Sequence, residues 1–168
     1  MKITEPKLEN REALPYAGIR SQVSMQDLPN IIPQHIGEVA EWLGQQGIEP
    51  AGPPIIRYYV CPTVADGAAR VDVAVGWPVA KSVTGTDRIE ADALPAGRYA
   101  SLIYTGVENG VPANGVLIEW ARDNHIAWNS RDVEAGEAFA GRLEHLLDGP
   151  DDDPNPSNWK TEVAIMTA

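Results

Sequence analysis

A single carboxylate lies in the segment WKTEVAIM, residues 159–166, near the end of the chain. The segment predicts a β-strand, whose side chains alternate between two faces, so Glu162 lies opposite the face that carries Val163 and Ile165. We expect that apolar face to pack against helices, which directs Glu162 into an open cleft. A carboxylate there loses hydration and needs a cation or a hydrogen-bond donor as its partner. The segment therefore predicts a site for a cationic ligand, the alternative being a solvated glutamate paired with Lys160 or an arginine.

The aromatic residues suggest the walls of such a cleft. The chain has five Trp, five Tyr and one Phe, and Trp and Tyr suit pockets that have one wet end. In the segment GPPIIRYY, alternation places Tyr58 on the more apolar face with Ile56 and Val60, so Tyr59 is favoured for the cleft. The predicted ligand-binding residues are Glu162, Trp77, Trp120, Trp159, Tyr59 and Tyr104. Ordinary core packing is the alternative for each aromatic residue.

The spacing of the other reactive residues does not favour metal or cofactor chemistry. His35, His125 and His145 form no HxH or HxxxH pattern, so no metal site is predicted. The acidic run at residues 151–153 lacks the spaced ligands and the glycine of a calcium loop. Cys61 has no base or cation beside it in the sequence, which favours a structural thiol. No cofactor is predicted, because the sequence has no GxGxxG, P-loop or GxSxG motif.

Periodicity and turn residues predict the elements that would position these side chains. Strands are predicted at residues 9–25, 55–61, 71–79 and 159–166, with one long strand or two short ones between residues 89 and 106. Helices are predicted at residues 28–48, 116–126 and 136–147. Loops are predicted at residues 49–54, 106–115 and 148–158, and the segment ADGAA at residues 65–69 is typical of a hairpin connection.

The two halves of the chain resemble each other. ALPYAGIRSQ at residues 13–22 parallels ALPAGRYASL at residues 93–102, and EVAEWLGQQGI at residues 38–48 parallels VLIEWARDNHI at residues 116–126. Two matches in the same order and at nearly the same offset indicate an internal duplication. We expect an α+β fold in which two such units, about residues 7–80 and 87–168, join their strands into one antiparallel sheet. Both helices would cover one face and leave a ligand cleft on the other.

Composition limits the partners of this domain. The 168 residues include 24 acidic and 13 basic side chains, which gives a formal net charge of −11. Such a surface repels nucleic acid and anionic lipid, so neither is an expected partner. The sequence has no apolar run long enough to span a bilayer and no signal peptide, and its one cysteine excludes an internal disulfide. We therefore expect a cytoplasmic protein of one domain.

Four segments in this order, GPPIIRYY, VDVAVGWPV, LPAGRYASLIYTG and WKTEVAI, resemble the GyrI-like small-molecule-binding domain. The resemblance covers about residues 7–165. It implies two β-α-β-β units related by a pseudo-twofold axis, a ligand cleft between them, and an aromatic cage around a carboxylate on a late strand. Relatives often carry Tyr near the position of His145, so no pocket role is assigned to that histidine.

The resemblance implies three functions. The family includes the effector-binding domains of multidrug-responsive transcription activators, and since no DNA-binding segment precedes the first strand, we expect the stand-alone form. The leading function is the sensing or sequestration of amphipathic aromatic or cationic compounds. Some GyrI-like proteins hydrolyse strained cyclopropane groups, and by that resemblance Glu162 could activate water with Tyr104 or Tyr59 as a hydrogen-bond donor. Members named for gyrase inhibition imply a protein partner as the third possibility.

Overall fold

The structure is a computed structural model that describes residues 1–63 and 68–168. The predicted hairpin connection at residues 65–69 lies mostly outside the described residues. The described chain forms ten strands and two α-helices. The strands are β1 (Lys7–Arg11), β2 (Leu14–Ser24), β3 (Ile55–Cys61), β4 (Arg70–Pro78), β5 (Glu90–Leu94), β6 (Gly97–Thr105), β7 (Ser130–Val133), β8 (Gly136–Phe139), β9 (Arg142–Leu146) and β10 (Lys160–Met166), and the helices are α1 (Leu28–Gln45) and α2 (Gly110–Asp123).

All the strand pairs are antiparallel, and the main path of the sheet has the order β1-β6-β10-β9-β3-β4-β2-β5. This order is symmetric about its centre when β9 is matched with β3, β10 with β4, β6 with β2, and β1 with β5. The edge strands are exchanged, because β1 pairs with β6 while β5 pairs with β2. The α+β fold with pseudo-twofold symmetry is therefore confirmed.

The two helices cover one face of this sheet. Helix α1 buries Val39 and Leu43 in one apolar cluster with Ile19 of β2. Helix α2 buries Leu117 in another cluster, with Val163 and Ile165 of β10. The apolar face predicted for the last strand thus packs against a helix. No helix in the described ranges is long and apolar enough to cross a membrane.

Helix α2 begins earlier than the sequence predicts. The run GVENGVPANG was expected to be a loop, yet a single 3-10 turn at Val107–Asn109 leads directly into α2 at Gly110. Ala113 in this run is fully buried beside Leu117, one helical turn later. Tertiary burial of this stripe therefore outweighs the low helix propensity of the Gly and Asn residues.

The helix predicted at residues 136–147 is wrong, because this segment forms strands β8 and β9. Gly136 has φ of +143°, which L side chains rarely adopt, and an added Cβ would collide with the carbonyl oxygen of Cys61. This close approach starts a strand that pairs with the end of β3. Leu143 then faces one side of the sheet and Glu144 the other, so the spacing of the leucines is no guide to a helix here.

The face away from the helices is filled at its centre by side chains of the sheet itself. Tyr16, Ile55, Tyr99 and Leu143 form one cluster there, and each is at most 2% exposed. The curled sheet brings distant strands together, so this face buries its own core. Open volume remains near the end of β3, where a groove of about 480 Å³ lies beside the β7–β8 hairpin.

Strands β2 and β4 approach each other closely at Gly76. An added Cβ there would collide with the backbone of Ala17 and Gly18. We therefore expect Gly76→Ala to lower the free energy of unfolding by about 3 kcal/mol or more, as severe overpacking does. The matched control is Gly115→Ala on α2, where an added Cβ meets nothing within 4 Å, and which should gain roughly 0.5–1 kcal/mol. Urea denaturation measures both, and equal effects would contradict the close approach.

Candidate functional site: a buried glutamate between two tyrosines

Glu162 lies on the sheet face away from the helices, as alternation predicts, but it already has a cationic partner. Arg11 on β1 contacts its Oε1 at 3.0 Å, and the Glu162 side chain is 16% exposed. His145 lies opposite Glu162 in the ladder between β10 and β9. Burial lowers the pKa of His145, while the charge of Glu162 acts in the opposite direction. The structure therefore places Glu162 in an ion pair with Arg11. Pairing with an arginine was the alternative to a ligand site that the sequence left open.

Tyr59 also lies on the face away from the helices, in a polar network. Its hydroxyl oxygen is 2.7 Å from Glu90 Oε1 and 3.0 Å from Asp92 Oδ2, and within hydrogen-bond distance of the Tyr16 hydroxyl. Burial raises the pKa of Tyr59, and the hydrogen bond with Tyr16 adds to this. Tyr59 is thus separated from Tyr58 by the pleat of the strand, as the sequence predicts.

The three predicted tryptophans lie in different parts of the molecule. Trp77 packs in the cluster beneath α1 and donates a hydrogen bond of 2.9 Å to the carbonyl oxygen of Ile36. Trp120 packs on the cluster beneath α2. Trp159 donates a hydrogen bond of 2.7 Å to the carbonyl oxygen of Asp153, which fixes it to the acidic loop before β10. The structure does not bring these rings together around Glu162.

A different carboxylate lies at the centre of the helix-covered face. Glu144 on β9 is 9% exposed. The Tyr58 hydroxyl donates a hydrogen bond of 2.6 Å to its Oε1, and the Tyr104 hydroxyl donates one of 2.6 Å to its Oε2. Each oxygen of the buried carboxylate therefore has a phenolic donor, and we call these three residues the Tyr-Glu-Tyr site.

The sheet register explains this arrangement. Glu144 pairs with Ile56 of β3 on one side and with Val163 of β10 on the other. Tyr58 lies two residues beyond Ile56 and packs with a further apolar cluster that includes Leu28 of α1, whereas Tyr104 belongs to the cluster beneath α2. The Tyr-Glu-Tyr site thus occupies the seam between the two helix-covered clusters. Tyr104, predicted as a pocket wall beside Glu162, contacts Glu144 on the opposite face.

The carboxylate in this seam is held by hydroxyl groups and not by an ion pair in the part of the chain that the structure describes. Among the described residues, no basic side chain forms an ion pair with Glu144. The nearest arginine in the ladder, Arg142, donates to Asn114 Oδ1 at 2.9 Å instead. Burial raises the pKa of Tyr104, and the charge of Glu144 raises it further, so the phenol stays protonated and remains a donor. The same two causes raise the pKa of Tyr58.

Glu144 is not among the residues predicted from the sequence, because its segment was expected to be a helix. The signal that could have found it is RLEHL treated as a strand, in which Glu144 alternates with Leu143 and His145. A carboxylate on the inner side of such a strand needs partners, and tyrosines on neighbouring strands supply them. In the described part of the chain, no group of three or more His, Cys, Asp or Glu side chains is arranged to hold a metal ion.

The two hydroxyl donors can be tested by a double-mutant cycle. Tyr104→Phe leaves one carboxylate oxygen without a donor, which should cost roughly 1.5–3 kcal/mol of unfolding free energy. In a Glu144→Gln background the loss should fall by about 1 kcal/mol, because the charge is absent. Tyr99→Phe is the control, since its hydroxyl donates to the carbonyl oxygen of Pro95 at 2.8 Å and its loss should not depend on Glu144. Equal losses of Tyr104→Phe in both backgrounds would contradict the charge-assisted bond.

Comparisons with known proteins agree with this architecture. Residues 4–167 match the family described as the GyrI-like small molecule binding domain. The crystal structure of the EcmrR C-terminal domain superposes with a TM-score of 0.71 at 17% identity, covering 98% of this chain and 97% of that one. The EcmrR chain in an EcmrR–DNA complex superposes with a TM-score of 0.72 at 14% identity. The match covers 97% of this chain but only 57% of the EcmrR chain.

Two further structures share the fold. A hydrolase encoded by lin2189 from Listeria innocua has a TM-score of 0.65 at 11% identity, covering 98% of this chain and 92% of that one. SAV2435 bound to tetraphenylphosphonium has a TM-score of 0.54 at 14% identity, covering 98% and 94%. A comparison with curated protein sequences found no match. The match over nearly the whole length confirms the resemblance seen in the sequence, and the chain belongs to the GyrI-like small-molecule-binding family.

Proposed function

We propose that this domain binds amphipathic aromatic cations in the seam between α1 and α2, with Glu144 as the counter-charge. The observation that carries the proposal is that a carboxylate only 9% exposed has tyrosine hydroxyls as its hydrogen-bond donors and no basic side chain among the described residues as a partner. A buried charge of this kind is costly without an opposite charge. A ligand cation supplies that charge and is stabilised by the same interaction.

The surroundings of Glu144 favour a cation whose charge is spread over an apolar body. Both carboxylate oxygens already accept a hydrogen bond from a hydroxyl group. The ligand therefore has to supply a positive charge but does not have to donate a hydrogen bond. The Tyr58 ring already attracts one cation, since the Arg142 guanidinium lies 6.0 Å from its centre. The structural relative SAV2435 was solved with tetraphenylphosphonium, a cation of this class. Because SAV2435 shares the fold of this domain, its ligand supports the chemical class of the ligand proposed here.

The ligand must reach the seam from the edge of the helix layer. Tyr58, Cys61 and Leu146 are partly exposed there, whereas Tyr104 is 4% exposed. An added Cβ at Gly110, in the first turn of α2, would lie 3.2 Å from the Tyr104 hydroxyl. The start of α2 therefore rests directly on the inner tyrosine. We infer that the ligand enters beside Tyr58 and displaces contacts between the seam and the first turn of α2.

Hydrolysis is the second candidate function. A carboxylate with two phenolic donors can orient a water molecule and accept its proton while a tyrosine donates to a leaving oxygen or developing carbanion. The Listeria innocua relative, which is named as a hydrolase, supports this alternative at the level of the fold. The role expected from the sequence for Glu162 is reassigned here to Glu144, because Glu162 is ion-paired with Arg11.

Parallel titrations separate the two carboxylates. Glu144→Gln should raise the dissociation constant of tetraphenylphosphonium about tenfold to hundredfold, because a charge-assisted contact is lost. Neutral triphenylphosphine oxide should change by less than about threefold. Glu162→Gln is the matched control and should alter neither ligand's affinity. Quenching of the five tryptophans reports binding. Equal losses for both ligands, or a loss confined to Glu162→Gln, would reject the proposed site.

The hydrolytic alternative is tested with the same variants. Wild-type protein is incubated with an activated cyclopropane compound, and the mass of a water adduct is sought by mass spectrometry. If the domain is a hydrolase, the adduct forms with wild type and Glu162→Gln but not with Glu144→Gln, which still binds the compound. Binding without any adduct restricts the function to ligand binding.

A further inference from the structure

A second site candidate lies outside the seam, in the groove of about 480 Å³ between the end of β3 and the β7–β8 hairpin. Its lining residues include Tyr59, Ala138 and the polar residues Arg20, Asn129 and Arg131. None of its lining residues belongs to the Tyr-Glu-Tyr site. The groove is large enough for a small molecule that has one or two rings.

Two arginines line this groove, although the chain is strongly acidic. The sequence has 24 acidic and 13 basic residues, yet the described residues that line the groove include two arginines and no Asp or Glu. The Ser130 hydroxyl is directed to Glu137 at 2.5 Å, which leaves the arginines and Asn129 as the groups that can meet a ligand. Guanidinium and amide N–H groups are donors, so the groove presents donors to an acceptor.

Arg20 is held rigidly at the mouth of this groove. Its Nε and Nη2 donate to the two carboxylate oxygens of Asp72 at 2.9 and 2.8 Å, which leaves Nη1 available. Its guanidinium also lies 3.8 Å from the centre of the Tyr59 ring. A second guanidinium, that of the buried Arg57, lies 4.3 Å from the same ring. Each of these guanidiniums is already paired with a carboxylate, Arg20 with Asp72 and Arg57 with Asp92, so Arg20 offers a ligand a fixed hydrogen-bond donor rather than a free charge.

Arg131 is the exposed cation of this groove. It is exposed on β7, opposite Ala138 of β8. Within residues 1–63 and 68–168, no acidic side chain forms an ion pair with it. A free guanidinium fork beside aromatic surface is suited to a carboxylate or sulfonate that is attached to a ring.

We propose that this groove binds a planar aromatic anion. The ring of the ligand packs beside Tyr59 and Ala138, and its acid group lies between Arg131 and the free Nη1 of Arg20. The site is independent of the proposed cation site, because it uses charges of the opposite sign on other residues. The domain would therefore accept two ligand classes at two places.

The test uses 2-naphthoate as the probe and neutral 2-naphthamide as its isostere, with isothermal titration calorimetry as the measurement. Naphthoate should bind wild type at least tenfold more tightly than naphthamide. Arg131→Gln should weaken naphthoate about tenfold, and Arg131→Lys should weaken it less, because the charge remains while the fork is lost. Arg98→Gln is the matched control, since Arg98 is an exposed arginine outside the groove, and it should leave naphthoate affinity unchanged.

Three results would overturn the proposal. They are equal affinity for naphthoate and naphthamide, equal weakening by Arg131→Gln and Arg98→Gln, and an absence of binding heat with wild type. Tetraphenylphosphonium affinity should be the same in Arg131→Gln as in wild type, which also shows that this variant is folded.

Discussion

The central constraint in this molecule is the short ladder between β3 and β9, which joins the two halves of the sheet. Only three residue pairs form it, from Ile55–His145 to Arg57–Leu143. Its middle pair brings the Glu144 side chain to the helix-covered face. A carboxylate at the junction of two apolar clusters must be satisfied within the protein or by a ligand. The tyrosine hydroxyls on either side of it supply the internal part of that requirement.

The polar groups on the two faces of the sheet are organised differently. On the face away from the helices, acidic and basic side chains pair with each other, as Arg11 does with Glu162 and Arg20 with Asp72. These pairs satisfy the charges locally, and the Arg11–Glu162 pair also ties the edge strand β1 to the sheet. On the helix-covered face, Glu144 has hydroxyl donors and no ion pair among the described residues. The face with the unpaired charge is therefore the one where a charged ligand gains most.

Much of the scaffold could be predicted from the sequence. The bounds of β3 were predicted correctly, and α1 and β10 were located within a few residues, because their apolar periodicity and flanking turn residues are strong. The alternation in β10 also placed Glu162 on the correct face. The pairing of strands that are distant in the sequence is not encoded in such local signals. The partner Arg11 of Glu162 lies on an edge strand that crosses to the other half of the sheet, and no spacing rule indicates that exchange.

The site itself was missed for a related reason. The segment that contains Glu144 is short and carries leucines whose spacing fits either a helix or a strand. Its strand conformation depends on β3, β8 and β10 as neighbours, so it is set by tertiary structure. Tyr58 was assigned correctly to the apolar face, yet this assignment removed it from the candidate pocket. The pocket was expected on the face that proves to be filled by Tyr16, Tyr99 and Leu143.

The pseudo-twofold symmetry explains why one asymmetric site arises from two similar units. Across the four central strands the register aligns Val75, Ile56, Glu144 and Val163 in one row. The row is symmetric about its centre, with Ile56 and Glu144 in equivalent positions of the two units. A duplicated ancestor would have the same residue at both places, and an apolar pair there would simply extend the core. With a glutamate in one unit only, the row holds a single charge at the junction, where two tyrosines, one from each unit, can reach it. Ligand binding at this position would therefore contact both halves of the domain at once.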